Sequence, residues 1–217
     1  MDTIAAIATG EGLGAVGIVR VSGPGAIDAV RGVFVERGGR TVSDFEARKL
    51  YYGALTDGAG LALDHCLCTI SRAPHSYTGE DTAELHCHGS PLVLQAALEA
   101  LFAAGARQAR PGEFTQRAFL NGKLDLVQAE AVIDLIRAET AQAAENAAGQ
   151  LGGEVSGKME AIYSGLRDIL AHFHAVIDYP DEDIEPFVLA EYQASMAGYL
   201  TELEHLAATF GRGQILT

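Results

Sequence analysis

The sequence predicts an α+β protein in which an N-terminal mixed α/β sheet domain is followed by an elongated all-α bundle segment. Two observations carry this. Residues 1–120 alternate β-rich runs with short amphipathic helices bounded by glycine and proline. From residue 121 to 217 the apolar period becomes helical: Leu151, Val155, Met159, Ile162, Leu166, Ile169, Phe173 and Val176 recur at steps of three or four. A third observation separates the same two parts. Up to Lys123 the net charge is -2, and from Leu124 onward it is -12.

In chain order, Thr3–Ala8 and Ala15–Val21 read as strands, Ala26–Val35 as a helix, and Lys49–Leu55, His65–Ser71 and Thr82–His88 as strands. Pro91–Ala104 reads as a helix: proline suits its first turn, Leu94, Leu98 and Leu101 share a face, and Gly105 stops it. Arg110-Pro-Gly leads into a further helix. The Ala- and Glu-rich run Leu124–Ala148 reads as one helix, the stripe from Leu151 to Val176 as a second, and Leu189 to Phe210 as a third. Two prolines in Asp178–Pro186 break the last pair apart. So short an array leaves apolar stripe uncovered, and Gly211–Thr217 reads as a connector, so further protein or a second copy is expected to cover it.

Composition excludes several classes. The N-terminus lacks a positive n-region, and no apolar run approaches the ~18 residues a membrane helix needs. Three cysteines, Cys66, Cys68 and Cys87, are an odd and sparse set that suits a reducing compartment, so a cytoplasmic protein is expected. Binding to nucleic-acid phosphates needs clustered cations; the second part is strongly acidic and the first only neutral.

Four stretches are candidate sites. GLGAVG, with Gly12, Gly14 and Gly17, matches the G-x-G-x-x-G dinucleotide pattern, but that loop needs a helix after the third glycine. Here β-branched Ile18-Val19-Arg20-Val21 follows, so the glycines read as a turn between strands, and Arg20 stands out as an exposed-face residue or an anion ligand. Gly152–Met159 is one residue short of a P-loop and has methionine where Mg²⁺ needs a hydroxyl. Cys66, Cys68, Cys87, His86 and His88 could in principle gather on strands as zinc ligands, or the cysteines could be plain core. Ser76–Ser90 and Arg110–Asp125 hold carboxylates, hydroxyls and cations around Gly and Pro, the makings of a small-molecule site.

These last two stretches, with GAVGIVRVSG near the start, KLDLVQAEAVIDLIRAET, and Ile177–Ile184, resemble the tRNA-modification GTPase family MnmE (TrmE), and the resemblance runs end to end. It implies an N-terminal aminomethyltransferase-like domain that binds 5-formyl- or 5,10-methylene-tetrahydrofolate and dimerises, a helical domain, and a Ras-like G domain inserted into it. It also implies a flavoprotein partner, MnmG (GidA), and aminomethylation or carboxymethylaminomethylation at C5 of the tRNA wobble uridine. Arg20, Glu84 and Lys123 fall on the family's folate positions. A carboxylate such as Glu84 can accept the adjacent N–H groups of a pterin, and the two cations suit its acceptor oxygens and carboxylate tail.

The sequence departs from the family in two ways. It contains no complete P-loop and no terminal Cys-x-Gly-Lys, so GTP hydrolysis, with its Mg²⁺ and K⁺, is expected only from sequence beyond it. Ser90 stands where a second glycine is expected after Gly89. The expected function is folate binding and self-association; the alternatives are a non-catalytic interaction module or a zinc-binding α/β domain using Cys66, Cys68 and Cys87.

Overall fold

The computed structural model describes residues 2–10, 12–180, 182, 185 and 188–213, with side chains to residue 208. The chain divides into two compact units, Met1–Leu124 and Asp125–Thr217. The α+β reading holds: among the described residues there is a seven-stranded mixed sheet in the first unit and helices alone in the second.

The strands are β1 (Ile4–Ile7), β2 (Val16–Ser22), β3 (Phe34–Glu36), β4 (Tyr51–Thr56), β5 (Ala62–Ser71), β6 (Thr82–His88) and β7 (Arg107–Gln108), in the spatial order β3-β4-β5-β6-β2-β1-β7. All neighbours are antiparallel except β1 and β7. One sheet face is closed by α1 (Ala26–Arg31) and α2 (Pro91–Ala103), which bury Ile27, Val30, Leu94, Leu98 and Leu101 against Val19, Val21, Leu55, Ile70 and Leu85. Each such large side chain contributes ~1.5–3 kcal/mol on burial. Side chains alternate along a strand, so the residues between these point to the opposite face.

Helix α2 ends as its sequence predicts. Gly105 takes φ +100°, its N–H donates to the Phe102 carbonyl, and the Ala106 N–H donates to that of Leu101, which satisfies the free carbonyls of the last turn. The predicted helix Ala26–Val35, by contrast, stops at Arg31. Beyond Gly32 the chain turns β-branched and aromatic, and Phe34-Val35-Glu36 pairs as an edge strand with β4.

Helix α3 (Glu113–Leu120) closes the first unit. The second unit holds, among the described residues, four helices where three were expected: α4 (Leu126–Arg137), α5 (Ala141–Leu151), α6 (Glu154–Asp178) and α7 (Leu189–Gly213). The run read as one helix over Leu124–Ala148 is cut at Ala138–Thr140. There the Thr140 hydroxyl accepts from the Ala143 N–H and starts a new helix. Asp125 starts α4 in the same way, with Gln128 reaching back to the Asp125 N–H as a capping box. The P-loop-like Gly152-Gly153 joins α5 to α6, with no strand before it. Residues 181, 183, 184 and 186 of the proline-bearing break, and the last four residues of the sequence, lie outside the described residues.

Candidate functional site

The dinucleotide-like glycines serve packing. Gly12 and Gly14 lie in the loop that joins β1 to β2 as a hairpin, and Gly17 lies in β2 itself, with no helix following it directly. Gly17 faces α2, and a Cβ there would lie 2.5 Å from a Leu94 methyl. Gly89 lies against the same loop: Gly14 donates its N–H to the Gly89 carbonyl at 3.1 Å, and a Cβ on Gly89 would meet the Gly14 carbonyl oxygen at 2.4 Å. Ser90, where a second glycine was expected, is extended at φ -85° and opens α2, a position that needs no glycine.

The strand alternation sorts the remaining candidates. Cys66, Cys68 and Cys87 all point into the core and are free thiols. The neighbouring Cys87 thiol and burial push the Cys66 thiol up, and burial pushes that of Cys68 up to about 12. Both therefore stay neutral thiols at ordinary pH. His86 and His88 are engaged elsewhere, His86 with Glu84 and His88 Nδ1 with Asp64 at 2.7 Å. Among the described residues no group of three or more His, Cys, Asp or Glu could hold a metal, and the zinc alternative is corrected on that ground.

On the face away from the core, Arg20 of β2, Glu84 of β6 and Thr69 of β5 stand opposite one another in one cross-strand row. Arg20 Nε donates to Glu84 Oε1 at 2.8 Å, and His86 Nε2 lies 3.2 Å from Glu84 Oε2. Burial alone would push the Glu84 carboxyl up. The Arg20 charge and the hydrogen bonds from Arg20 and His86 together outweigh it, so Glu84 sits below the ordinary carboxylate range and is ionised at neutral pH. Two aromatic rings flank the guanidinium: Arg20 Cζ lies 5.5 Å from the Tyr77 centroid and 5.8 Å from that of Phe114. Arg20, Glu84, Tyr77, Thr69, Ser71 and Thr82 line a cleft of about 160 Å³.

The loop that carries Tyr77 is fastened at several points. Thr78 Oγ1 lies 2.7 Å from Ser22 Oγ, Asn121 donates to the Thr78 carbonyl at 2.7 Å, and Tyr77 Oη is 3.0 Å from Thr115 Oγ1. Glu80 accepts from Ser22 at 2.7 Å and from Arg117 at 3.0 Å. Arg117 also donates to Asp2 and to Glu113, and Glu113 accepts from Arg107 and from the Arg110 N–H. The side chains of Arg117 and Glu113 are only 5% and 3% exposed. Arg107 foremost holds the Glu113 carboxyl far below its ordinary range. This ionic cluster was not foreseen; its signal was Glu113 and Arg117 four apart on a helix opening at Gly112.

Of the three expected folate residues, the fold thus brings Arg20 and Glu84 together. Lys123 stands outside the cleft, exposed, on the turn that follows α3; its stem lies beside Gly79, two residues from Tyr77. His86, Tyr77 and Phe114 complete the surroundings of Glu84 and Arg20.

Residues 3–123 match the family model described as GTP-binding protein TrmE N-terminus, and residues 126–217 match that of the MnmE helical domain. The chain is 44% identical over 216 residues to the tRNA modification GTPase MnmE of Carboxydothermus hydrogenoformans, covering 99% of this chain and 47% of that protein. It is 46% identical over 216 residues to the protein of the same name from Geobacter sulfurreducens, and 45% over 215 to that from Symbiobacterium thermophilum, with the same coverage. The chain spans about half the length of the curated relatives it matches.

Proposed function

The chain belongs to the tRNA modification GTPase MnmE family, and from that premise we propose that its sheet unit binds a one-carbon tetrahydrofolate in the Arg20–Glu84 cleft. The observation that carries the reading is an ionised, half-buried carboxylate presented beside aromatic rings on the side of the sheet away from the core. A pterin fits this donor set: it is flat and offers adjacent N–H groups that a carboxylate accepts in pairs. A cleft of about 160 Å³ suits the ring system, and leaves the carboxylate tail outside, where Lys123 is exposed. Glu84 would hold the ring, Arg20 its acceptor oxygens, and Lys123 the tail. When bound, the folate supplies the one-carbon unit.

In the whole protein this site would serve modification at C5 of the tRNA wobble uridine with the flavoprotein MnmG (GidA), in the cytoplasm. GTP hydrolysis, with Mg²⁺ and K⁺, would fall to the part of the family's length outside these 217 residues. The outward-facing Val35, Tyr52 and Leu67 provide exposed apolar surface for a homodimer through the sheet unit. Calorimetric titration with 5-formyltetrahydrofolate tests the reading: saturable binding is expected and is lost in Glu84→Ala. No heat at millimolar ligand overturns it. Sedimentation of a monomer at high micromolar protein removes the dimer.

A further inference from the structure

Building on the folate reading, we infer that His86 is a positioning residue that fixes the plane of the Glu84 carboxylate for the ligand. Glu84 is ionised and can only accept, so His86 Nε2, at 3.2 Å from Oε2, carries the hydrogen. Arg20 donates through Nε to the other oxygen, Oε1, at 2.8 Å. A carboxylate turns freely about its last bond, because that torsion is broad. One donor would leave it hinged on a single oxygen; two donors, one on each oxygen, clamp the plane.

The backbone sets this clamp. Glu84 and His86 are two apart on β6 and so share a face, and Arg20 is the direct cross-strand partner of Glu84 on β2. His86 itself lies in the next cross-strand row, between Ile18 and Leu67. A carboxylate offers about four lone-pair positions. With one on each oxygen taken by the protein, one on each remains for a pair of ligand N–H groups.

The test separates this inference from the folate reading. Long-range ¹H–¹⁵N correlation should place the His86 hydrogen on Nε2 in the free protein and should change in Glu84→Gln. In calorimetry with 5-formyltetrahydrofolate, His86→Ala should bind about tenfold more weakly. His86→Gln, whose amide N–H₂ can reach the same oxygen, should return to within about threefold of the starting chain. The two variants should melt within a few degrees of each other. Unchanged binding in His86→Ala, equal weakness in Ala and Gln, or no hydrogen on Nε2 overturns the inference and leaves the folate reading standing. Absence of binding by the unsubstituted chain overturns both.

Discussion

Replacing Arg117 by methionine keeps the length of the side chain and removes its charge from a nearly closed site. Three carboxylates converge on this guanidinium: Glu80 at 3.0 Å, Glu113 at 3.2 Å and Asp2 at 2.8 Å. Glu113 retains Arg107 and the Arg110 N–H, and Glu80 retains the Ser22 hydroxyl. Uncompensated charge is therefore left mainly at Glu80, and the cost falls at the lower end of that for breaking a buried pair, about 3 kcal/mol. For a unit of this size each kcal/mol moves the midpoint by roughly 3–6 °C, so calorimetry should show its transition lowered by about 10–15 °C. The acid side moves with it. Glu113 has a folded pKa depressed below its unfolded one, so its stabilisation is complete above the unfolded value, ~4.3, and fades as pH falls toward the folded one. Arg117→Met removes part of that dependence, and its midpoint should fall less between pH 5 and pH 3 than that of the unsubstituted chain. The loop bearing Tyr77 also loses its Glu80 anchor, so folate binding should weaken even at temperatures where the variant is folded. A midpoint within 2 °C of the unsubstituted chain would refute the reasoning.

Two further outcomes follow from packing. Gly89→Ala should destabilise the sheet unit by ~1–3 kcal/mol, because its Cβ would sit 2.4 Å from the Gly14 carbonyl oxygen, whereas Ser90→Gly should stay within about 0.5 kcal/mol because the Ser90 side chain makes no cap bond; urea denaturation of both compares them, and equal losses would contradict the assignment of the constraint to Gly89. The three thiols should resist a disulfide reagent in the native chain at pH 8 and all react once it is unfolded in guanidinium, with no zinc in purified protein by metal analysis; rapid native labelling would place them outside the core.

What the sequence disclosed was local, and what it hid was non-local. The strand Thr82–His88 was legible to the residue, because it is bounded by turn residues and alternates cleanly. Strand β3 was not. Val33-Phe34-Val35 continues a helical apolar pattern from Ala26, and only pairing with β4 makes Phe34–Glu36 an edge strand. The break at Thr140 was hidden in the Ala- and Glu-rich run, although threonine is a good cap. At the site, Arg20 was conspicuous as a cation in an apolar strand, but nothing local joins it to Glu84, 64 residues away. That pairing, and the part played in it by His86, depends on the register of β2 against β6.

The same register explains why one pair of strands carries both an inert core and a reactive-looking surface. Along β6 the order Glu84-Leu85-His86-Cys87 alternates between faces, and β5 does likewise with Cys66, Leu67, Cys68 and Thr69. A one-residue slip of β6 would exchange the faces, sending the Glu84 carboxylate into the apolar core and the Cys87 thiol to the cleft. Burying an unpaired charge costs far more than any contact the slip could gain. The core that α2 closes therefore does more than stabilise the sheet: by demanding Leu85 and Cys87 on the inner face, it obliges Glu84 and His86 to share the outer one with Arg20. The geometry of the proposed folate site is thus a consequence of hydrophobic packing on the opposite side of the sheet.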